Sequence, residues 1–461
     1  MNIKIDINPL TRLEGHGQID VEWGPDGKIQ GVHFRVPEFR GFETFCQGRA
    51  AEEMSTLTEK ICGVCPMAHL MVSAKALDDV FCTKIPVAAE IIRKLVYHAF
   101  IYEDHLLHFY FLGGPDFLIS SDSGIANRNI LGVIQSLGDD VGRQVLNVRK
   151  QVRDLVSKIA GSALYPVLAL PGGVSRSLDS DVRDQARKVS SLAVEFACQS
   201  LRIFKSHVLA GTRFHRLLND PAFYLPTGYM GMVNASGQID FYDGLIRIID
   251  AAGRPIHQFA ANQVMAVLAE RMNALTRIKT IHCREGDLSV GASGSMADVC
   301  RVGPLARLNV TDGLPTRLAQ AEYEEWVHAF GGKPVHHTLA YHWARLIEAL
   351  YAAETMVELA DNSALTSAIV HTIPQKIKPD GAGACEAPRG ALFHLYRVDE
   401  HAIIQHVNLI VATQINAAAI GKSIEKAAMA FLSNGDVTDS AINHIEMAYR
   451  AYDPCLACAT H

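Results

Sequence analysis

Two pairs of cysteines, each with two residues between its members, lie near opposite ends of this 461-residue chain. The first pair is Cys62 and Cys65, and the second is Cys455 and Cys458. Two thiolates at this spacing can bind one soft metal ion, because a short turn directs both sulfurs to a common point. Local zinc sites have their two pairs about 15–20 residues apart, whereas positions 65 and 455 are 390 residues apart. If the four sulfurs bind one metal centre, the fold must bring both ends of the chain together.

Composition limits the class of protein. Hydrophobic residues make up 49% of the chain and charged residues 20%, which is enough apolar material for a large buried core. The formal charge of −6 and the lack of a dense Lys/Arg run argue against nucleic-acid binding. With no apolar run of about 18 residues and no signal-peptide pattern, we expect a cytoplasmic protein without a membrane span.

The cysteines point to metal binding. Ten cysteines in a chain without a secretion signal favour reduced thiols and metal ligation over disulfides. Six of the ten have no partner at ligand spacing, and most of them are expected to be small buried hydrophobes; these are Cys46, Cys82, Cys198, Cys283, Cys300 and Cys385.

The order of secondary structure predicts a mainly α protein with a small N-terminal β-sheet. Ile3, Ile5 and Ile7 alternate with polar residues, and Gln18–Trp23 and Lys28–Val36 flank a hairpin-like turn. From Phe45 onward, helical periodicity dominates. Helices are predicted at Val87–Phe111, Asp139–Ile159, Ser180–Leu209, Phe241–Met272, Leu339–Leu359, His401–Ala418 and Asp439–Tyr452. Since no repeat or linker interrupts the chain, we expect an α+β fold with one domain over residues 1–461, in which residues 1–43 form the β region.

Several short motifs occur in a fixed order along the chain. They are Arg12-Leu13-Glu14-Gly15-His16, Arg40-Gly41-Phe42-Glu43, Ile61-Cys62-Gly63-Val64-Cys65 with His69, Asp104-His105, Glu386-Ala387-Pro388-Arg389-Gly390, and Asp453-Pro454-Cys455-Leu456-Ala457-Cys458-Ala459-Thr460-His461. From residue 6 to residue 461 this series resembles the large, catalytic subunit of the [NiFe] hydrogenases. The resemblance implies a long-helix bundle of that type, which cleaves or forms H2 at a Ni-Fe(CN)2(CO) centre.

The resemblance also assigns the four sulfurs. All four would bind Ni, with Cys65 and Cys458 also bridging to Fe and with Cys62 and Cys455 as terminal ligands. A terminal thiolate keeps a free lone pair, so Cys455 is the better proton acceptor. The alternative from the residues alone is a structural zinc site made of the same four cysteines.

Further site residues follow from the same resemblance. Glu14, which by itself could be a loop carboxylate in a salt bridge, would carry protons from Cys455 towards solvent. Arg389 would lie over the open side of the metals. Pro388, Asp104 and Asp453 would surround that guanidinium. His69 would lie next to a bridging sulfur. Ala412 and Thr413 would lie against the Fe-bound ligands, where the Thr413 hydroxyl would donate a hydrogen bond to a cyanide.

A second, harder metal site is implied at the chain's end. Glu43, His461 and the carbonyl of Leu409 would bind Mg2+, which prefers such ligands and keeps several waters. The segment around Leu409 departs from the family's usual pattern, since Ala412 stands where many members have Pro and Ile415 where Trp or His is common. Precursors of the family carry an extension after the last His, so we expect either a matured form or one encoded without that extension.

The sequence offers no route for electrons within this chain. It has no GxGxxG motif between a strand and a helix, and no spare cysteines at Fe–S cluster spacing. Electrons are therefore expected to pass to an Fe–S small subunit, and from there to flavin- or NAD-binding subunits of a soluble, cytoplasmic complex linked to NAD(P) or ferredoxin. The alternatives are an H2 sensor with the same site, a heterodisulfide- or F420-linked hydrogenase, the nickel-free complex I relative, and a zinc-stapled structural protein.

Overall fold

The computed structural model describes residues 3–119, 124–272, 276–284, 296, 298–432 and 437–461. Its helices, in chain order, are α1 (Phe42–Phe45), α2 (Met54–Thr58), α3 (Pro66–Val80), α4 (Val87–Leu107), α5 (Ile130–Leu137), α6 (Asp139–Ala160), α7 (Ser180–Phe204), α8 (Thr212–Leu218), α9 (Val264–Val267), α10 (Pro304–Val310), α11 (Arg317–Ala329), α12 (Tyr341–Asp361), α13 (Ala412–Phe431), α14 (Asp439–Arg450) and α15 (Leu456–Ala459).

The strands form several small sheets. In chain order they are β1 (Ile3–Ile7), β2 (Gln18–Trp23), β3 (Ile29–Arg35), β4 (Ala169–Leu170), β5 (Gly173–Val174), β6 (Gly228–Val233), β7 (Leu245–Ile249), β8 (Pro255–Phe259), β9 (Leu268–Met272), β10 (Lys279–Cys283), β11 (Cys300–Arg301), β12 (Asp380–Ala387), β13 (Gly390–Val398) and β14 (Ile404–Ile410). The sheet orders are β1-β2-β3, β11-β6-β7-β8 and β12-β13-β14, with two-stranded pairs β4-β5 and β9-β10.

The predicted α+β class is confirmed, as is the N-terminal hairpin. Strands β2 and β3 pair antiparallel around the predicted turn, and Ile19 and Val21 on β2 are fully buried. Helix α12 packs against both α4 and α7, while strand β3 of the N-terminal sheet packs against α13. The predicted helix Val87–Phe111 ends at Leu107 and continues as one π-helical turn, His108–Gly113. None of the described helices has the length and apolarity needed to cross a bilayer.

The helix predicted at Phe241–Met272 is wrong. Strands β7, β8 and β9 lie in this range, and its only described helical part is a short stretch before β9. On β7, Ile246 and Ile248 are buried while Leu245 is exposed, which is the alternation of a half-buried strand. The turn between β7 and β8 contains Gly253 at φ +84°, a conformation that glycine adopts readily.

The helix predicted at His401–Ala418 is also wrong in its first half. Residues 404–410 form β14, which pairs with β13, and the helix begins at Ala412. Ile404 and Val407 are buried against the sheet. Their β-branched side chains favour a strand over a helix. This strand positions Leu409 and delivers the chain directly to Thr413.

The six additional cysteines lie in different environments. Cys46, Cys283, Cys300 and Cys385 are buried, as expected for small hydrophobes, whereas Cys198 is half-buried and Cys82 is exposed.

Candidate metal centre

The two cysteine pairs meet in the interior. The Sγ atoms of Cys62 and Cys455 are 3.4 Å apart, those of Cys65 and Cys458 are 3.2 Å apart, and those of Cys455 and Cys458 are 2.8 Å apart. All four sulfurs lie within 4.8 Å of one another and every one of these residues is buried. The fold therefore closes a loop of more than 390 residues to build a four-sulfur group that can hold metal.

Local geometry directs the first pair of sulfurs. The Sγ of Cys62 accepts the N–H groups of Val64 and Cys65, each at 3.2 Å, so the turn wraps around that sulfur. Pro66 then begins α3, where its fixed φ suits the first helical position. The turn and the helix start together fix both side chains.

The second pair is held against the N-terminal quarter of the chain. After α14, Asp453 adopts φ +55°, and the N–H of Cys455 donates to Thr413 Oγ1 at 3.0 Å. The N–H of Leu456 donates to the carbonyl of Glu14 at 2.8 Å, so these segments pair as one parallel β-bridge.

Arg40 joins the two cysteine motifs, a role that sequence reasoning missed. Its Nη2 donates to the carbonyl of Ile61 at 2.5 Å and also to the carbonyl of Ala457. These carbonyls directly precede Cys62 and Cys458. The Arg-Gly-Phe-Glu motif was the available signal, but only Glu43 was assigned from it.

Removing one hydroxyl tests how the second motif is held. Thr413→Ala is expected to lower the free energy of unfolding by about 1–3 kcal/mol, because the buried N–H of Cys455 loses its acceptor. The midpoint of urea unfolding of the metal-free protein measures this change. Thr413→Ser keeps the oxygen and is expected to stay close to wild type; equal midpoints for both variants would contradict the assignment.

The four thiols differ in the direction of their pKa shifts. Hydrogen bonding with Cys455, and then with Cys458 and Cys65, lowers the pKa of Cys62 well below its usual value. Burial raises the pKa values of Cys455 and Cys458. A cluster of this kind holds one thiolate readily and needs a cation to stabilise more, which is the behaviour of a metal-binding group.

Glu14 contacts the sulfur group directly. The Cys455 thiol donates to Glu14 Oε2 at 3.0 Å, and the N–H of Ala457 donates to the same oxygen at 3.0 Å. Burial, followed by the negative charge of Cys62, raises the pKa of Glu14, while the hydrogen bonds from Cys455 and Ala457 partly oppose that rise. Since Glu14 is only partly buried, its carboxyl group can connect a buried sulfur with the protein exterior.

Arg389 lies between two carboxylates. Its Nη1 is 3.3 Å from Asp104 Oδ2, and its Nη2 is 3.2 Å from Asp453 Oδ1. Burial raises the pKa of Asp104 to about 7 although Arg389 lowers it, and burial likewise raises the pKa of Asp453. The structure thus brings together three of the predicted residues, and Arg389 lies next to the cysteines.

A small cavity lies against Cys65, Cys455 and Cys458. Three of the other residues that line it are polar: His69, Arg389 and Thr413. The buried Nε of Arg389 has no hydrogen-bond partner among the described residues, and the Thr413 hydroxyl, which accepts the N–H of Cys455, has no acceptor for its own proton among them. The remaining wall is largely apolar and includes Ala387, Leu392, Val411 and Ala412.

The chemistry of these donors fits a Ni-Fe(CN)2(CO) group. The unpartnered N–H and the hydroxyl suit anionic cyanides, and the apolar wall suits a carbonyl ligand that needs no hydrogen bond. Pro388 does not line this cavity; instead its carbonyl accepts a hydrogen bond from Arg307 at 3.1 Å.

His69 lies on α3 beside a sulfur that was predicted to bridge. Its Nε2 is 3.4 Å from Cys458 Sγ, and its Nδ1 is 3.2 Å from Nε2 of His394 on β13. Burial lowers the pKa of His69 to about 4. The neutral ring is thereby held between the Cys458 sulfur and a second imidazole.

Glu43 and His461 meet next to the sulfur group. Glu43 Oε1 is 3.5 Å from His461 Nε2 and accepts the N–H of Leu409 at 2.9 Å, while Glu43 Oε2 is 2.9 Å from Lys279 Nζ. Burial raises the pKa of Glu43, but His461, Leu409 and Lys279 outweigh it and lower the pKa to about 2.

The donors of this second cluster are of the type that a hard cation prefers, and a Mg2+ site here stays a prediction. Glu270 also contacts Lys279, and Asn408 Oδ1 is buried without a partner among the described residues. Carboxylate and amide oxygens with one imidazole are donors that Mg2+ accepts. The ammonium of Lys279 already balances part of this charge. Leu409 contacts Glu43 through its N–H, and ligation by its carbonyl stays a prediction.

Comparison with known protein families gives two matches. The family model described as nickel-dependent hydrogenase matches residues 40–166 and 295–461, and a model described as HoxL-like matches residues 4–39. Together these ranges contain both cysteine pairs, Glu14, Arg389 and His461.

Curated relatives match over the whole chain. The iron-sulfur subunit of the F420-non-reducing hydrogenase of Archaeoglobus profundus is 36% identical over 459 residues, which cover 99% of this chain and 94% of that protein. The NAD-reducing hydrogenase HoxS subunit beta of Cupriavidus necator is 33% identical over 477 residues, covering 100% and 95%.

Solved structures share the fold. A crystal structure of NAD+-reducing [NiFe]-hydrogenase in the H2-reduced state has a TM-score of 0.90 at 33% identity and covers 100% of this chain and 99% of that one. The Ni-Fe-Se hydrogenase from D. vulgaris Hildenborough has a TM-score of 0.76 at 19% identity with full coverage of both chains, and this likeness concerns the fold alone.

Proposed function

The chain belongs to the nickel-dependent hydrogenase family, and from that premise we propose that it splits or forms H2 at a Ni-Fe(CN)2(CO) centre. Cys62, Cys65, Cys455 and Cys458 would bind Ni, with Cys65 and Cys458 also binding Fe. The observation that supports this best is the meeting of four buried sulfurs, one of which donates to Glu14 at 3.0 Å.

The chain's own residues would handle the proton. When bound, the nickel–iron centre supplies the site at which H2 is polarised, split heterolytically and relieved of its electrons. Cys455 holds the proton on Sγ, and Glu14 Oε2 receives it across 3.0 Å. The raised pKa of Glu14 suits a group that both accepts and releases a proton. Arg389, fixed by Asp104 and Asp453, keeps a positive charge above the sulfurs and excludes bulk water.

Electrons would leave through partner subunits. The relatives are named as subunits of hydrogenases, and the described part of this chain offers no second cysteine group to hold a cluster. We assign the partner role to an Fe–S small subunit, with further flavin- or NAD-binding subunits in a cytoplasmic complex. The TM-score of 0.90 to an NAD+-reducing enzyme supports NAD as the acceptor.

A second acceptor class has its own support. The relative at 36% identity is named F420-non-reducing hydrogenase, against 33% for the NAD-reducing one. Reduction of NAD by H2 in the purified complex decides between them: NAD reduction supports the first assignment, and its absence alongside reduction of ferredoxin or a heterodisulfide supports the second. A turnover rate far below those of enzymes would instead identify an H2 sensor.

Metal analysis tests the proposal itself. We expect one Ni and one Fe per chain in active protein, with Mg2+ bound by Glu43, His461 and the carbonyl of Leu409. Elemental analysis measures all of these metals at once. Stoichiometric Zn without Ni would show that the four sulfurs form a structural zinc site.

A further inference from the structure

Arg307 on α10 has all five of its N–H donors satisfied in the interior. Its Nε donates to Glu348 Oε1 at 2.6 Å and its Nη2 to Glu348 Oε2 at 2.5 Å. Its Nη1 donates to Glu386 Oε2 at 2.7 Å. The last two donors bind main-chain carbonyls: Nη1 to Ala387 at 2.8 Å and Nη2 to Pro388 at 3.1 Å.

Those two carbonyls belong to Ala387 and Pro388, the two residues that precede Arg389 in the chain. The same short segment lies against the start of α10 at backbone contact distance: a Cβ at Gly303 would come within 2.7 Å of the Arg389 carbonyl, and one at Gly390 within 2.4 Å of a Val302 side-chain carbon. Both glycines have positive φ, at +94° and +134°. The backbone around Arg389 is therefore held on α10 both by packing and by the Arg307 guanidinium.

The contacts close into a ring around Arg389. Asp104, which binds Arg389, is followed on α4 by His105, whose Nε2 is 2.9 Å from Glu348 Oε2. Glu348 binds Arg307, and Arg307 binds the carbonyl of Pro388. Three helices, α4, α10 and α12, thus fix both the side chain and the backbone of Arg389.

Charge and burial make this ring specific for arginine. Arg307, Glu348 and Glu386 are all completely buried. Burial raises the pKa of Glu348, but the charge and hydrogen bonds of Arg307 outweigh this and lower it. A buried pair of this kind is costly to desolvate, and in some proteins such pairs fix a defined geometry. Only the planar guanidinium can bind a carboxylate with two N–H groups and still reach two carbonyls.

We propose that Arg307 and Glu348 are positioning residues, which hold Arg389 in place over the metal centre. The inference rests on the proposed function, because the role of Arg389 lies at that centre. The residues touch neither the sulfurs nor the cavity beside them, so they act through the Ala387–Pro388 backbone and through His105.

Arg307→Lys tests the proposal in the metal-loaded complex. Lysine keeps the charge but cannot bind both carboxylates and both carbonyls. We expect Ni and Fe to stay bound, kcat for H2 oxidation to fall by about tenfold to a hundredfold with little change in KM, and the infrared bands of the Fe-bound cyanides to shift. Glu348→Gln, which keeps the shape of the side chain, is expected to shift the same bands less.

Arg93→Lys provides a matched control. Arg93 is equally buried and likewise binds one carboxylate, Asp78, together with the carbonyls of Leu170 and Gly173. The contacts of Arg93 do not include the Arg389 segment. The infrared bands of the Fe-bound cyanides in Arg93→Lys are therefore expected to match those of wild type. Unshifted bands and unchanged kcat in Arg307→Lys would overturn the proposal, as would the same band shift in both arginine variants.

A metal-free crystal structure separates this proposal from the proposed function. In Arg307→Lys we expect Arg389 to lose its contacts with Asp104 and Asp453, which wild type and Arg93→Lys retain. An unmoved Arg389 would refute the positioning role whatever metal the wild type binds. If wild-type protein holds Zn and no Ni, the proposed function fails, and the crystal structures still decide whether Arg307 positions Arg389.

Discussion

Replacing Glu14 by Gln is expected to abolish H2 oxidation and the exchange of H2 with solvent deuterium, while Ni and Fe stay in place. The amide has nearly the same shape and can still accept the N–H of Ala457, so the local backbone contacts survive. It cannot take a proton from Cys455, however, and losing a positioned acid–base group typically costs about 10²–10⁴-fold in rate.

Isotope exchange in H2/D2O and metal content, measured on the same sample, check this expectation. Glu38→Gln is the matched control, since Glu38 is a surface carboxylate that contacts the exposed His16, two residues from Glu14. The control is expected to exchange like wild type. Exchange at the wild-type rate in Glu14→Gln would remove Glu14 from the proton path, and loss of Ni would show that its role is structural.

The grouping of the four cysteine sulfurs could be predicted from the sequence, because the spacing within each pair indicates metal-binding chemistry. A Cys-x-x-Cys pair directs two sulfurs to one point wherever it stands, and Pro66 and Pro454 mark the turns that aim them. Periodicity alone did not bring the two pairs together across more than 390 residues; the resemblance to a known family did, and the fold agrees.

The secondary-structure errors share a physical cause. Over residues 245–259 and 404–410, short strands separated by turns place apolar residues at intervals that also match a helix. Pairing with neighbouring strands decides the outcome, and that pairing is tertiary information. The long helices α4, α6, α7 and α12 could be predicted because their apolar periodicity persists over five turns or more.

Arg307 and Glu348 escaped sequence reasoning for a related reason. A charged residue in a helix is usually solvated, and nothing in the sequence shows that these two are completely buried. They are 41 residues apart, and Arg307 lies 81 residues from the Pro388 carbonyl that it binds. Arg40 escaped for the same reason, because its partner carbonyl at Ala457 is 417 residues away.

Deleting Thr460 and His461 is expected to leave most helix intact but to weaken metal binding by about 10–100-fold, the usual effect of removing groups that orient metal ligands. The main-chain carbonyl of Thr460 accepts the N–H of Arg40 at 2.8 Å, and the side-chain hydroxyl of Thr460 donates to the Leu456 carbonyl at 3.1 Å. His461 is buried, as we expected; its Nδ1 is 2.6 Å from the Cys458 carbonyl, and its Nε2 faces Glu43.

These contacts hold α15, and with it Cys458, against the N-terminal quarter of the chain. Joining the two ends carries the entropy cost of closing a very long loop, so this junction should form after the rest of the chain has folded. Its loss should therefore spare the helices, which far-UV circular dichroism measures, and reduce bound Ni, which elemental analysis measures. Thr460→Ser keeps the carbonyl, the hydroxyl and His461, and is expected to bind Ni like wild type. Full Ni content in the truncated protein would mean that α14, Asp453 and the Thr413 hydrogen bond suffice to aim both sulfurs, and that the cluster of Glu43 and His461 serves another purpose.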